Sequence, residues 1–137
     1  MLVMLLWSQP RMTCALDRLT GTTDVDYQPD PVALEALRQI APPVEIVLVY
    51  GAWCPDSQRE VPRFMRILKL ADNAGITLTE YEVDRKKQDA ARKAEEYSIR
   101  FVPTFIVIRG GTELGRIVET PEKSLEEDLA AILEGKD

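Results

Sequence analysis

The sequence predicts an α/β fold in which helices cover both faces of a central mixed β-sheet. Two patterns carry this prediction. A continuous apolar and β-branched run, Ile46-Val47-Leu48-Val49, is typical of a strand buried on both faces. From residue 61 to residue 68, apolar side chains then recur at the three- and four-residue spacing of a helix. A strand that leads directly into an amphipathic helix is the basic unit of such a fold.

The first half of the chain supplies two helices and two strands. Asp30-Pro31 offers an N-cap and a first-turn proline for a helix that Pro42-Pro43 ends. The buried run predicts a strand from Glu45 to Tyr50, and the amphipathic pattern predicts a helix from Ser57 to Asp72. Partial alternation of apolar residues predicts the second strand, Ile76 to Val83.

The second half predicts a helix, a hairpin and a closing helix. Charged residues with few apolar anchors indicate a peripheral helix from Gln88 to Tyr97. Two short apolar runs, Thr104 to Ile108 and Leu114 to Val118, flank Gly110-Gly111 and indicate an antiparallel hairpin. Thr120-Pro121 is expected to cap the last helix.

Composition limits the classes of function. The chain has 137 residues, a net charge of −6, no histidine and two cysteines, Cys14 and Cys54. Its length suits one domain. Its charge argues against nucleic acid and against anionic membranes as partners. Without histidine a histidine base is impossible, and two cysteines are too few for a classical zinc site, so we expect neither metal nor cofactor.

The N-terminal part is predicted as a weakly structured leader, residues 1–29, before a domain that spans residues 30–137. Met1 to Trp7 is apolar but short, and no basic residue precedes it, which argues against an export signal. A disordered leader and a start codon placed too early, with Met12 as one alternative, are the other interpretations. No later run reaches the length of a membrane span. Together with the low cysteine content, this predicts a cytoplasmic protein.

Cys54 is the strongest candidate for chemistry. It follows the apolar strand and precedes the predicted helix, and the unpaired N–H groups of a helix start favour a thiolate over a thiol. Ser57 stands where a dithiol oxidoreductase needs a second sulfur on the same helical face. The alternatives are a buried structural role for Cys54, and for Ser57 a helix-capping role or an engineered substitution.

Three segments together resemble the thioredoxin superfamily, over roughly Asp30 to Leu133. Trp53-Cys54-Pro55-Asp56-Ser57 is similar to the family's Trp-Cys-x-x-Cys, with serine in place of the second cysteine. Pro62 lies where the family kinks its active-site helix, and Val102-Pro103-Thr104 resembles the segment that carries a cis proline.

The resemblance implies a thioredoxin-like fold and assigns the site. Cys54 and Ser57 would be the catalytic residues. The residues expected to contact substrate are Trp53, Pro55, Val102, Pro103 and Thr104.

The chain also departs from the family at three positions. Leu48 stands six residues before Cys54, where thioredoxins hold a buried aspartate. Glu80 stands where they often carry a lysine, and Glu119 lies in a loop that usually bears glycine. Acidic groups near the sulfur would oppose the thiolate that the helix start favours.

The leading hypothesis is a monothiol thiol-disulfide oxidoreductase, in which an external thiol releases the mixed disulfide on Cys54. Its expected partners are protein disulfides or small thiols such as glutathione. Two alternatives stay open: a non-catalytic peptide-binding module, and a monothiol glutaredoxin-like protein, including one that ligates an iron–sulfur cluster. Cys14 is expected to be a bystander, unless the leader folds across the site and makes it the resolving thiol. The sequence does not indicate an oligomeric state.

Overall fold

The structure is a computed structural model that describes residues 26–135. Residues 1–25 and 136–137 lie outside the described residues, and with them Cys14 and most of the predicted leader. Among residues 26–135, no helix has both the length and the apolar character needed to cross a membrane.

The described chain forms four helices and four strands. In order, they are α1 (Pro31–Gln39), β1 (Val44–Tyr50), α2 (Pro55–Ala71), β2 (Ile76–Glu82), α3 (Lys93–Glu96), β3 (Thr104–Arg109), β4 (Thr112–Val118) and α4 (Leu125–Leu133). The strands make one mixed sheet in the order β2-β1-β3-β4. β1 runs parallel to β2 and antiparallel to β3, and β3 and β4 form the predicted hairpin. The prediction of an α/β fold with a mixed sheet is confirmed.

Each face of the sheet has its own core. On one face, α1, α2 and α4 pack together over the strands, and their fully buried side chains include Leu37, Phe64 and Leu129. The opposite face is covered by the short helix α3 and by the chain segments on either side of it. Strand β1 contributes to both cores, since Ile46 and Leu48 point to the first and Val47 and Val49 to the second. This explains its continuous apolar run.

Helix α1 begins as the sequence predicts, and the residues just before it are tied to the far end of the chain. The Asp30 carboxylate accepts a hydrogen bond from the N–H of Ala33 at 2.9 Å, which confirms the predicted N-cap. The Glu126 side chain, 2% exposed, accepts hydrogen bonds from the Tyr27 hydroxyl and from the Asp30 N–H, each at 2.8 Å. The Arg66 guanidinium donates to the Tyr27 carbonyl. Tyr27 therefore packs with the domain, through α2 and α4.

The helix predicted from Gln88 to Tyr97 is wrong, because only Lys93–Glu96 is helical. Two aspartates bind the backbone locally instead. Asp84 accepts from the N–H groups of Lys86 and Gln88, and Asp89 accepts from those of Lys93 and Ala94. Such side-chain bonds compete with helical ones. The chain also takes a positive φ value at Arg92, inside the predicted range, which a helix does not allow.

The predicted cap of the last helix is also wrong. Ser124, not Thr120, is the N-cap of α4, and its hydroxyl accepts from the Glu127 N–H at 3.2 Å and donates to the Glu127 carboxylate at 2.8 Å. This reciprocal arrangement is close to a capping box. The Asp128 carboxylate accepts from the N–H groups of Glu122 and Lys123, which holds the residues before Ser124 in a turn.

We expect Tyr27→Phe to lower the free energy of unfolding by about 1–3 kcal/mol, because the buried Glu126 carboxylate loses one of its two donors. Denaturant unfolding at neutral pH measures the loss. Burial, and then the hydrogen bond to Glu126, raises the pKa of Tyr27 above its ordinary value of 10. The hydroxyl therefore stabilises the fold fully below pH 10, and the difference between wild type and variant shrinks as the pH rises above 10.

Tyr97→Phe is the matched control, because the Tyr97 hydroxyl makes no hydrogen bond within residues 26–135. Its effect should stay within about 0.5 kcal/mol. Equal losses in the two variants would contradict the role given to Glu126.

Candidate active site

Cys54 lies at the edge of the sheet where the parallel strands β1 and β2 both end. It is the N-cap of α2, and Pro55 occupies the first helical position, so the helix begins two residues before the predicted Ser57. The Cys54 N–H donates to the Gly51 carbonyl at 3.0 Å, which closes the turn between strand and helix. The thiol is partly exposed, and its Sγ donates to the Val102 carbonyl at 3.3 Å. A cysteine is thus held at a helix start and against a second backbone segment.

That second segment is Val102-Pro103-Thr104, at the start of β3. All three residues are buried, and the Val102–Pro103 peptide bond is cis. The Thr104 hydroxyl donates to the Phe101 carbonyl at 2.6 Å, and the Pro103 carbonyl accepts from the Glu119 N–H at 2.7 Å. The structure therefore brings these three residues beside Cys54, with Glu119 behind them.

Trp53 is fixed on the other side of the turn. Its indole N–H donates to the Val83 carbonyl at 3.0 Å, just after β2. The ring fills the space that a side chain at Gly51 would take, since a Cβ there would lie 2.6 Å from the indole Cε2. The Arg85 guanidinium lies 5.6 Å from the ring centroid, in a cation–π contact. Trp53 consequently links the cysteine turn to the loop after β2.

Ser57 is fully buried in the first turn of α2. Its Oγ accepts a hydrogen bond from the Gly51 N–H at 3.2 Å, so it satisfies a backbone donor at the end of β1. A hydroxyl that accepts in this way keeps its own proton to donate. Beneath it, Leu48 is fully buried in the core shared with α2, and Glu80 is its register partner on β2.

The acidic groups near the start of α2 are ion-paired. Arg59 lies 2.9 Å from the Asp56 carboxylate and 2.7 Å from that of Glu60. Glu60 first, and then Asp56, raises the pKa of the Arg59 guanidinium. The negative charge of Asp56, which the sequence analysis expected to oppose the thiolate, is thus partly compensated by Arg59 on the same helix. On the other side, Glu119 has a positive φ of 63°, in the left-handed region that glycine favours.

Two residues of the site were missed by the sequence analysis. Gly51 could have been suspected, because a glycine just before a Trp-Cys pair suggests close packing of a large ring. No signal pointed to Arg85, since its contact with Trp53 joins residues that are far apart in the sequence. Residues 26–135 contain no group of three or more cysteine, aspartate or glutamate side chains that could hold a metal ion.

Comparisons with known proteins agree with this geometry. Residues 18–131 match the family described as thioredoxin. The Dictyostelium discoideum protein named "Putative thioredoxin-5" is 30% identical over 91 residues, which are 66% of this chain and 83% of that protein.

Solved structures with the same fold extend the comparison. A Pseudomonas aeruginosa protein of unknown function gives a TM-score of 0.63 at 20% identity and covers 90% of this chain and 84% of its own. Thioredoxin f2 of Chlamydomonas reinhardtii gives 0.52 at 15% identity and covers 72% and 84%. Thioredoxin-2, described as a component of the malaria parasite's protein secretion machinery, gives 0.54 at 19% identity and covers 68% and 82%. At these identities the likeness shows the fold.

We expect Gly51→Ala to displace Trp53, because the new Cβ would lie 2.6–2.8 Å from three indole atoms. The free energy of unfolding should fall by about 1–3 kcal/mol, as overpacking usually causes. The near-ultraviolet circular dichroism of the ring should change with it. Gly115→Ala is the matched control, since its Cβ would meet only the Ile132 side chain, at 3.2 Å, and that side chain can shift. An unchanged tryptophan signal in Gly51→Ala would refute this packing.

Ser57→Ala should lower the free energy of unfolding by about 1–3 kcal/mol, since the Gly51 N–H then has no acceptor. Denaturant unfolding tests this against Thr77→Val. That control removes an exposed hydroxyl whose bond to the Val44 carbonyl is 3.4 Å long, and it should change stability by less than about 0.5 kcal/mol. No loss in Ser57→Ala would mean that the backbone donor is satisfied in another way.

Proposed function

Because this chain belongs to the thioredoxin family, we propose that it exchanges thiols and disulfides through one active-site cysteine, Cys54. The supporting observation is the placement of its sulfur. Sγ is partly exposed at the start of α2 and lies 3.3 Å from the Val102 carbonyl, while position 57 holds a buried hydroxyl. The first feature suits a nucleophile, and the second removes the resolving thiol that a dithiol enzyme uses.

The proposed reaction has two exchange steps. The Cys54 thiolate attacks one sulfur of a substrate disulfide, so that a new S–S bond forms, the old one breaks and the other half leaves as a thiolate. An external thiol then attacks the mixed disulfide and releases Cys54, carrying away the bound half as a new disulfide. The oxidising equivalents pass from the substrate to the external thiol, and the protein returns to its starting state.

Val102 and its neighbours would guide the substrate. The Val102 backbone lies beside the sulfur, where an extended segment of a protein disulfide could pair with it as an added strand. Trp53 and the exposed Pro55 would border that segment on the other side. Glutathione is the small external thiol that we propose. A reducing compartment would supply it, so a cytoplasmic location remains part of the proposal.

Ser57 would have two tasks. Its acceptor role toward Gly51 is structural, and the proton that it retains could support the Cys54 thiolate. The two tasks separate in Ser57→Ala: a structural role lowers stability alone, whereas support of the thiolate also lowers the rate of exchange at Cys54.

A peptide-binding module is the second candidate. Leu48 and Ser57 favour it, since both are fully buried and place an apolar group and a hydroxyl where the family resemblance leads one to expect an acid and a thiol. In that case the groove beside Val102 would hold a partner segment without exchanging sulfur.

Turnover of a glutathionylated peptide in excess glutathione tests the proposal. We expect wild type and Cys14→Ser to release the peptide thiol at similar rates over repeated turnovers. Cys54→Ser should lose the activity, because the nucleophile is gone.

A mixed disulfide on Cys54, seen by intact mass and removed by glutathione, should accumulate when glutathione is withheld. Peptide binding without any mass increase on Cys54 would reject exchange and favour the binding module. Loss of turnover in Cys14→Ser would instead make Cys14 a participant.

A further inference from the structure

Arg85 is carried to the active-site edge of the sheet by the topology. β1 and β2 are parallel, so their last residues end side by side, and Tyr50 and Glu82 are register partners. The chain after β1 holds Cys54, and the chain after β2 holds Arg85. The two segments are also bonded, since the Val83 N–H donates to the Tyr50 carbonyl at 2.8 Å and the Val83 carbonyl accepts from the Trp53 indole.

The Arg85 guanidinium is positioned but not neutralised. It lies over the ring of Trp53, the residue next to Cys54, at 5.6 Å from the ring centroid, and the indole hydrogen bond keeps that ring in place. Among the described residues Arg85 makes no ion pair, although other arginines of this chain do: Arg59 pairs with Asp56 and Glu60, and Arg116 with Glu113. Its five N–H donors are therefore available on an exposed side chain.

The loop around Arg85 contains two more cations without an ion pair to a described residue. Lys86 and Lys87 follow it, and neither makes an ion pair with a described residue. The two loop carboxylates nearest in sequence, Asp84 and Asp89, are directed to backbone N–H groups that partly offset their charge. A loop with three cations that make no ion pair with a described residue, one of them over the ring next to Cys54, stands out in a chain whose net charge is −6.

We propose that Arg85 determines specificity by binding a carboxylate that the substrate carries next to its disulfide. The inference rests on the proposed function and names its substrate class. A guanidinium forms two parallel hydrogen bonds with a carboxylate, and the cation–π contact with Trp53 keeps Arg85 near the start of α2. Lys86 and Lys87 strengthen the attraction over a longer range, to about the Debye length of 8 Å at physiological salt.

The reaction itself is unchanged. The Cys54 thiolate forms a bond with one sulfur of the disulfide, the S–S bond breaks, and the second half leaves as a thiolate with its own carboxylate. Arg85 takes no proton and forms no bond in these steps. It raises the rate for carboxylate-bearing disulfides relative to neutral or cationic ones.

Three small disulfides that differ only in their end groups test this: dithiodipropionate, hydroxyethyl disulfide and cystamine. All are reacted with the full chain carrying Cys14→Ser, so that Cys54 is the only thiol, and intact mass follows the mixed disulfide. Each rate is divided by the rate of the same probe with free glutathione, because the leaving thiols differ in pKa. We expect this relative rate to be roughly threefold higher for the carboxylate probe than for the neutral one and lowest for the ammonium probe, and the preference should shrink in high salt.

Arg85→Gln should remove most of this preference, and Arg85→Lys should restore part of it. Lys69→Gln is the control, because it removes the same charge from the last turn of α2, at the opposite end of that helix from Cys54. It should leave the ratio of rates unchanged. The ratio is the decisive readout, since a structural role of Arg85 would change all three rates alike.

The possible failures are distinct. Equal relative rates for the three probes, each divided by its rate with free glutathione, or a preference that survives Arg85→Gln, would overturn the inference while exchange at Cys54 stands. A charge preference with a mixed disulfide that no external thiol can release would support the inference and reject the proposed turnover. If none of the probes forms a mixed disulfide on Cys54, both are overturned.

Discussion

The turn between β1 and α2 is the constraint on which the rest of the site depends, because it must bring a cysteine to a helix start within four residues of a strand that is buried on both faces of the sheet. Gly51 makes this possible, since the Trp53 ring occupies the space where a Cβ would be. Its N–H, left without a strand partner, finds the buried Ser57 hydroxyl. The position that resembles a resolving cysteine thus holds the turn together, so its loss would disturb the fold around Cys54.

The segment Val102-Pro103-Thr104, on the other side of the site, is also held by hydrogen bonds to the backbone. In this segment, the Val102 carbonyl accepts a hydrogen bond from the Cys54 thiol. The Pro103 carbonyl accepts one from the N–H of Glu119, in the loop before α4. Glu119 keeps a left-handed backbone that costs a side-chain-bearing residue about 1 kcal/mol or more. The hydrogen bond to Pro103 helps to hold that conformation. The backbone of an acidic residue is therefore fixed next to Pro103, while Arg85 lies over Trp53, so the two segments that flank Cys54 carry opposite charges.

Local patterns predicted the fold well, because burial and helix capping depend on the types of residues that lie close together in the sequence. The run Ile46-Val47-Leu48-Val49 and the cap at Asp30 are examples. The helix expected from Gln88 failed because Asp84 and Asp89 bind the backbone in ways that charge content alone does not reveal. Cys54 and the segment at Val102 could be found from motif spacing. The contact of Arg85 with Trp53 could not, since only the parallel pairing of β1 and β2 brings these residues together.

A site with a single sulfur changes what substrate recognition must achieve. Cys54 is the only cysteine in residues 26–135, so within that part of the chain a mixed disulfide has no neighbouring thiol to expel it. In the proposed reaction the bound half would stay until an external thiol arrives, and both the substrate and that thiol would approach the same partly exposed sulfur. A cation held over the neighbouring Trp53 ring would act on each approach. The groups around Cys54 would then govern the two proposed exchange steps together, and Arg85, which lies over the Trp53 ring and makes no ion pair with a described residue, would act on both.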